Sequence, residues 1–350
     1  MPPRASGSES AAAPTISTVA ELAGVSRATV SRAFSSPHRL RAETVSRVHS
    51  AAEQVGYVPN PVARALSTGR HGLLAMVVPD IANPFFPPLI GAAEKRADTA
   101  GLAVLLGNAA EDPAREDLLM GKLATQVDGF VLVSSRMSEA QIRAHAARRP
   151  IVLVNRDLTG IPRVLIDTTG GVREAVEHLA SLGHARVAYL SGPTRSWANG
   201  QRARAFKRTA ERLGLDPVVL PARISSFEAG RTAVPALLDT GATAVVAFDD
   251  LLAHGVLIGL AEQGVRVPAD FSVVGCDDVM AAQTFPPLTT VSARAAEAGT
   301  VAVELLAQRL DSAGGAGSDV RVLLDTKLVI RATTGPRSHG RRKAELFQSS

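Results

Sequence analysis

Apolar residues recur over the first seventy positions with the spacing of short helices; after position 71 they gather into runs separated by helical stretches. In "TISTVAELAG", Ile16, Val19, Ala20 and Ala23 fall at i, i+3, i+4 and i+7, the stripe of an amphipathic helix with Thr15 as N-cap. Gly24 ends it. Val25 can staple and Ser26 can cap a second helix that runs to about Phe34. At about 100° per residue, with Arg27 at zero, Ser31 falls near 40°, Ala28 near 100° and Arg32 near 140°. Thr29, Val30 and Ala33 cluster between roughly 200° and 300°, so a small apolar face packs inward and Arg27, Ala28, Ser31 and Arg32 face out. A third helical stretch, "AETVSRVHSAAEQVG", carries Val45, Val48, Ala52 and Val55 as its buried stripe.

"GYVPNPVARALSTG" follows at 56–69. Asn60 can N-cap, Pro61 fits the first helical position and Gly69 fits just past the end, which makes Val62 to Thr68 a very short helix. Helices below about 12 residues are marginal in water, so this one needs a partner such as its own copy or DNA. The same residues also fit a plain linker between domains.

From 71 to 335 the pattern changes. "LLAMVVPD", "LAVLLGN", "GFVLVSS", "PIVLVNRD", "VLIDT", "RVAYLSGP", "PVVLP", "AVVAFDD" and "FSVVGCDD" are short apolar runs between helical stretches, the signature of parallel strands buried on both faces. Two open α/β lobes are expected, with a ligand cleft outside the carboxyl ends of the strands. The fold class is therefore an all-α helix-turn-helix head with a hinge helix, followed by a two-lobed α/β core of parallel sheets. The expected boundaries are a disordered tail at 1–14, the head at 15–59, the hinge at 60–70, the core at 71–335 and a basic tail at 336–350.

Charge sharpens the picture. Residues 1–70 hold eight arginines and four glutamates, with no lysine or aspartate, a net +4 out of +5 for the 350-residue chain. A basic head on a nearly neutral body suits a polyanion, and the outward face of the second helix suits a DNA major groove, where arginine can take guanine N7 and O6 together. Leu66, exposed on the hinge, would be a wedge for a minor groove. The one cysteine, Cys276, leaves no internal disulfide and no multi-thiolate zinc site. No signal-peptide h-region and no membrane-length apolar stretch is present, so a cytoplasmic protein is expected.

Enzyme chemistry finds little support. No G-x-G-x-x-G or G-x-x-x-x-G-K-[ST] follows a strand, and no nucleophile–base set appears, so no catalytic residue, metal ligand or cofactor is assigned. Asp249-Asp250 and Asp277-Asp278 at strand ends are the nearest to an acid/base or metal couple. His178 and His184 are expected to be structural.

"TVAELAGVSRATVSRAF" followed by "GYVPNPVARAL" resembles the head and hinge of the LacI/GalR family of bacterial transcription regulators, and "SLGHARVAYLSGP", "VPADFSVVGCDD" and "FPPLTTV" extend the resemblance to about residue 335. The resemblance implies a periplasmic-binding-protein-like core and a homodimer that binds a pseudo-palindromic operator in double-stranded DNA, controlled by a small sugar or related polyol. The short tail without leucine heptads argues against a tetramer built on a coiled coil. The implied DNA set is Thr15, Ser26, Arg27, Ala28, Thr29, Ser31 and Arg32 in the head, with Asn60, Ala63 and Leu66 in the hinge. The implied effector set is Asn83, Phe85 and Phe86 in "NPFF", Asn155 and Arg156 in "VNRD", Trp197, Arg202, Ser225, Asp249 and Asp277. Asp249, Cys276, Ser225, Ala293 and Asn155 depart from common family residues, and Trp197 is expected to supply a missing ring. A solute-binding protein, or a sugar- or nucleoside-processing enzyme on the same two lobes, is the rival reading.

Overall fold

The computed structural model of the protein describes residues 14–35, 37–58, 69–311 and 319–337. The chain divides into two compact units, one ending at His71 and one beginning at Gly72. The hinge candidates Asn60, Ala63 and Leu66 lie outside the described residues, as do 1–13 and 338–350 of the two tails.

The first unit contains α1 (Ile16–Ala23), α2 (Arg27–Ser35) and α3 (Ala42–Val55), with a short 3-10 turn at Pro37–Arg39. Thr15 caps α1 reciprocally: its hydroxyl accepts from Thr18 N at 3.4 Å while Thr15 N donates to Thr18 Oγ1 at 3.3 Å. Gly24 closes the helix at φ 66°, a left-handed conformation that costs glycine nothing. Ser26 Oγ accepts from Thr29 N at 3.1 Å and so caps α2. Val19, Ala20, Ala23, Val30, Ala33, Val48, Ala51 and Ala52 make the core of this unit. On α3 the buried stripe is Val48, Ala51 and Ala52, whereas Val45 and Val55 are only half-buried. The adjacent i, i+3, i+4 triplet faces α1 and α2, and the outer members of the expected stripe drift off that face.

The second unit holds two six-stranded sheets. The first runs in the order β11 (Arg321–Asp325), β5 (Arg163–Asp167), β4 (Ile151–Val154), β3 (Gly129–Val133), β1 (Leu73–Val78) and β2 (Ala103–Asn108), all parallel. Successive side chains of β1 face opposite ways, as the two-residue strand period requires. Leu74, Met76 and Val78 join a core with α4 (Phe86–Thr99) and α12 (Ala295–Asp311), while Ala75 and Val77 join the core on the other face, which includes Met120 of α5 (Pro113–Leu123) and Ile142 of α6 (Glu139–Ala146).

The second sheet runs β12 (Leu328–Val329), β10 (Thr289–Ser292), β9 (Ser272–Asp277), β8 (Ala244–Ala247), β6 (Arg186–Ser191) and β7 (Asp216–Pro221). Here the expectation of parallel strands alone is corrected: β12 pairs antiparallel to β10. Its helices are α7 (Thr169–Ser181), α8 (Trp197–Arg212), α9 (Phe227–Thr232), α10 (Val234–Asp239) and α11 (Asp250–Glu262). The chain crosses between lobes after β5, after β10 and after β11, because α7 packs in the second core, α12 in the first, and β12 pairs in the second sheet.

Candidate functional site

In the first unit, Arg27, Ala28 and Arg32 are exposed on α2, Ser31 is half-buried beside them, and Val30 and Ala33 are buried on the opposite face. Thr29 is half-buried with its hydroxyl 2.9 Å from Ser26 Oγ, so both side chains hold the helix start. Arg27 Nη1 lies 3.4 Å from Ser17 Oγ at the start of α1. One convex face thus combines two guanidinium groups, a methyl and a hydroxyl. Arg47 is exposed on α3.

In the second unit, strand carboxyl ends from both lobes face one pocket with about 400 Å³ of space, its opening included. Asn83, Phe85, Phe86, Asn155, Arg202, Ser225, Asp249 and Asp277 line it. The turn after β1 aims Asn83. Its Oδ1 accepts from Phe85 N at 2.9 Å, which leaves Nδ2 to reach across to Asp249 Oδ2 at 3.1 Å and Ser225 Oγ at 3.3 Å. Ser225 also bonds Asp249 Oδ2. The remaining Asp249 oxygen accepts from Leu252 N at 2.9 Å, so this carboxylate both caps α11 and faces the cleft. Phe85 and Phe86 meet edge to face, centroids 5.0 Å apart, and form an apolar wall.

Arg202 forms the floor. It projects from α8 and is 4% exposed; Nε donates to Thr168 Oγ1 at 3.1 Å, Nη2 to Asp277 Oδ1 at 3.1 Å, and Nη1 to the Phe248 carbonyl. Its guanidinium also lies 4.8 Å from the Phe248 ring centroid. Thr168 sits at the crossing between lobes, so this one side chain links the floor to that crossing. Burial pushes the Asp277 carboxyl well above its ordinary range against the pull of Arg202. Burial likewise raises Asp249, against the hydrogen bonds from Ser225, Leu252 N and Asn83.

Two predicted residues sit elsewhere. Arg156 and Trp197 line a neighbouring cleft rather than this pocket. Asn155 turns the chain at φ 53° and uses its Oδ1 to accept from Ile166 N at 3.0 Å, which leaves Arg156 facing away, bonded to the Met137 carbonyl at 3.2 Å. The ring expected from Trp197 is instead Phe248. The sequence reading missed it together with Glu111, Ser134, Arg136, Ser196 and Ala198. Arg136 and Glu111 form a two-pronged pair across one wall, Nε–Oε2 2.6 Å and Nη2–Oε1 3.0 Å. Ser134 and Phe248 directly follow β3 and β8, so applying the strand-end rule to every strand would have found them. Glu111, Ser134, Asn155 and Asp277 all have positive φ, 59°, 47°, 53° and 130°, a concentration of strained backbone at the pocket.

The remaining acidic pairs are structural. Asp250 accepts from Thr290 Oγ1 at 2.5 Å and Val279 N at 2.8 Å, and Asp278 pairs with Arg331 at 2.7 Å. His184 is bonded to Thr243, Ser272 and the Gly335 carbonyl, and His178 to Thr334. Burial pushes the Cys276 thiol up, and neither Cys276 nor Ala293 lines the pocket. Among the described residues no group of three or more His, Cys, Asp or Glu side chains is arranged to hold a metal, and no helix is long and apolar enough to cross a membrane. Chemically, the pocket offers directional donors and acceptors between aromatic walls, a combination suited to a compact molecule rich in hydroxyls.

Residues 15–60 match the family model for bacterial regulatory proteins of the lacI family, and residues 176–334 match that for a periplasmic binding protein-like domain. The chain is 34% identical over 332 residues to the HTH-type transcriptional repressor CytR of Escherichia coli (strain K12), covering 92% of this chain and 96% of that protein. It is 33% identical over 339 residues to the HTH-type transcriptional regulator DegA of Bacillus subtilis (strain 168), covering 92% and 98%. Among solved structures, the lac repressor dimer bound to operator and the anti-inducer ONPF aligns with a TM-score of 0.81 at 29% identity, over 92% of this chain and 99% of that one. The complex of the transcriptional regulator CelR with cellobiose aligns at 0.67 and 30% identity, over 91% and 99%.

Proposed function

The chain belongs to the lacI family of bacterial regulatory proteins, and from that premise we propose that it is a sequence-specific repressor whose hold on its operator is set by a sugar-like molecule bound between the lobes. One observation carries this reading: a helix-turn-helix head with exposed Arg27, Ala28 and Arg32 on one face of α2 shares a chain with a polar pocket closed by Asn83, Arg202, Asp249 and Asp277.

Two heads of a homodimer, the assembly named for the lac repressor structure, would read the halves of a pseudo-palindrome. In each major groove Arg27 and Arg32 take base edges; Thr15, Ser26, Thr29 and Ser31 set the helix and meet phosphates. Asn60, Ala63 and Leu66 belong to the hinge segment 60–70, which joins the head (15–59) to the core (71–335) and enters the central minor groove. The protein works in the cytoplasm and turns nothing over.

An effector hydroxyl that takes up Asn83, Ser225 or Asp249 competes with the bonds these groups make across the cleft, so occupancy changes the balance of lobe closure. Coupling of about 1–3 kcal/mol suffices for roughly 5–150-fold changes in operator affinity.

The test is sequencing of fragmented genomic DNA retained by the purified protein. A few sharp peaks that share a palindrome, released by a sugar, support the reading. Reversible sugar binding with no DNA enrichment overturns it in favour of a solute-binding protein, and consumption of the sugar overturns it in favour of an enzyme.

A further inference from the structure

Beside the inner pocket, and sharing Arg136 and Ser196 with it, runs a wider cleft of about 900 Å³, opening included. Its lining holds four arginines and the Trp197 ring, and no carboxylate. Arg136 is matched by Glu111. Among the described residues Arg156, Arg195 and Arg204 have no ion-pair partner: Arg156 donates only to the Met137 carbonyl, while Arg195 and Arg204 are exposed. The Arg204 guanidinium lies over Gly200, with Nη1 3.5 Å from where a Cβ would stand.

Some exposed arginines of this unit are matched, such as Arg143 by Glu139 and Arg212 by Glu177, and others, such as Arg115, Arg173 and Arg208, are not; what sets Arg156, Arg195 and Arg204 apart is that they line one cleft with no carboxylate in its lining. Three unmatched guanidinium groups on one concave wall repel one another and focus a positive potential, which an anion relieves. Their planar forks fit phosphate oxygens, and three forks exceed what a single carboxylate can satisfy. The indole of Trp197 lines the same cleft and offers an aromatic face for the ligand body.

The geometry points to an anion subsite: the effector is a phosphorylated sugar or polyol, with its hydroxyls in the inner pocket and its phosphate in this arginine-lined cleft. This rests on the reading of the inner pocket as a site for a sugar-like molecule.

Trp197 is the only tryptophan in the chain, so its emission reports on the cleft directly. The full-length protein is titrated with D-ribose and ribose 5-phosphate, D-glucose and glucose 6-phosphate, and D-fructose and fructose 6-phosphate, by calorimetry and by Trp197 fluorescence. One phosphorylated probe should bind roughly tenfold or more tighter than its parent, the factor carried by one hydrogen bond to a charged group, and should shift Trp197 emission. The exposed-side-chain variant Arg195→Gln/Arg204→Gln should lose that preference and keep affinity for the parent sugar. Parent sugars that bind as tightly as their phosphates overturn the anion subsite and leave the sugar effector standing. A preference that survives in the variant also overturns it, by placing the phosphate elsewhere. Binding of neither form, by a preparation that still retains DNA, overturns the subsite together with the effector class.

Discussion

Replacing Arg202 with methionine removes a guanidinium set among the buried carboxylates of Asp277 and Asp249. Methionine fills much of the same volume with a flexible apolar chain, so the penalty is electrostatic rather than a cavity. Removing one partner of a buried pair typically costs about 3–5 kcal/mol, because the other charge is left uncompensated. Here the carboxylates have an escape, since burial already pushes both upward and they can take up protons instead. Without the cation their pKa values rise further. The folded variant then holds protons that the unfolded chain releases, and its stability falls more steeply as pH rises. The deficit should therefore be about 3–5 kcal/mol at pH 8 and shrink at pH 5 toward the roughly 1 kcal/mol of each lost neutral hydrogen bond. Asp277→Asn in the same background should recover part of it, with a coupling energy of about 1–3 kcal/mol. Urea unfolding of the four proteins of this cycle, followed by circular dichroism at both pH values, measures these quantities. A deficit equal at the two pH values, together with additive single effects, would refute the reasoning: the pair would then not be held away from water.

Arg32→Ala should cost roughly 1–3 kcal/mol of operator affinity and relax base preference at its contact, as read by binding to a randomised site library, whereas Arg47→Ala on α3 should weaken all sequences alike or none. Gly255→Ala should destabilise the second unit by about 1–3 kcal/mol or more in thermal unfolding, because a Cβ there would stand 2.0 Å from the Phe227 carbonyl oxygen where α9 and α11 meet backbone to backbone. Burial pushes the Asp250 carboxyl up to about 7, against its bonds from Thr290 and Val279 N, so the stability it contributes declines as pH rises from about 4 to about 7; Asp250→Asn should flatten that slope in a pH series of urea midpoints.

The head was legible because each of its determinants is local. Thr15, Gly24 and Ser26 act within four residues of themselves, and a helical wheel orients Arg27 and Arg32 with no knowledge of the rest of the chain. The inner strands of the core, β1, β3, β4, β8 and β9, were legible for a similar reason, since strands buried on both faces are unbroken apolar runs; β2 and β7, expected to be buried likewise, are half exposed because they stand at sheet edges. What escaped was non-local. Strand β12 is two residues long and exists through its pairing with β10, and β11 completes a sheet whose neighbouring strand β5 lies far back in the chain. The family resemblance put Arg156 in the effector set and Trp197 was added as a ring near Arg202, whereas Asn155 at φ 53° and the start of α8 turn both onto the neighbouring cleft. Phe248 was missed because its role comes from a guanidinium 46 residues away in the chain.

The bonds that close the inner pocket also bear on how it can signal. Asn83 belongs to the first lobe and Ser225 and Asp249 to the second, so their mutual bonds hold the lobes together directly. A ligand that inserts a hydroxyl there exchanges existing hydrogen bonds for new ones, each worth on the order of 1 kcal/mol net, rather than adding to an unpaired surface. The difference between filled and empty pockets is then a small remainder of comparable terms, which is the size a reversible switch requires. Arg202 gives that remainder a route to the crossing between lobes, because the guanidinium that meets Asp277 at the floor also meets Thr168 there. A ligand group that draws Arg202 toward itself weakens at least one of its three bonds, to Asp277, to the Thr168 hydroxyl or to the Phe248 carbonyl. Of the bonds to Asp277 and Thr168, the one to the neutral Thr168 hydroxyl is the weaker, and its loss loosens the crossing between lobes.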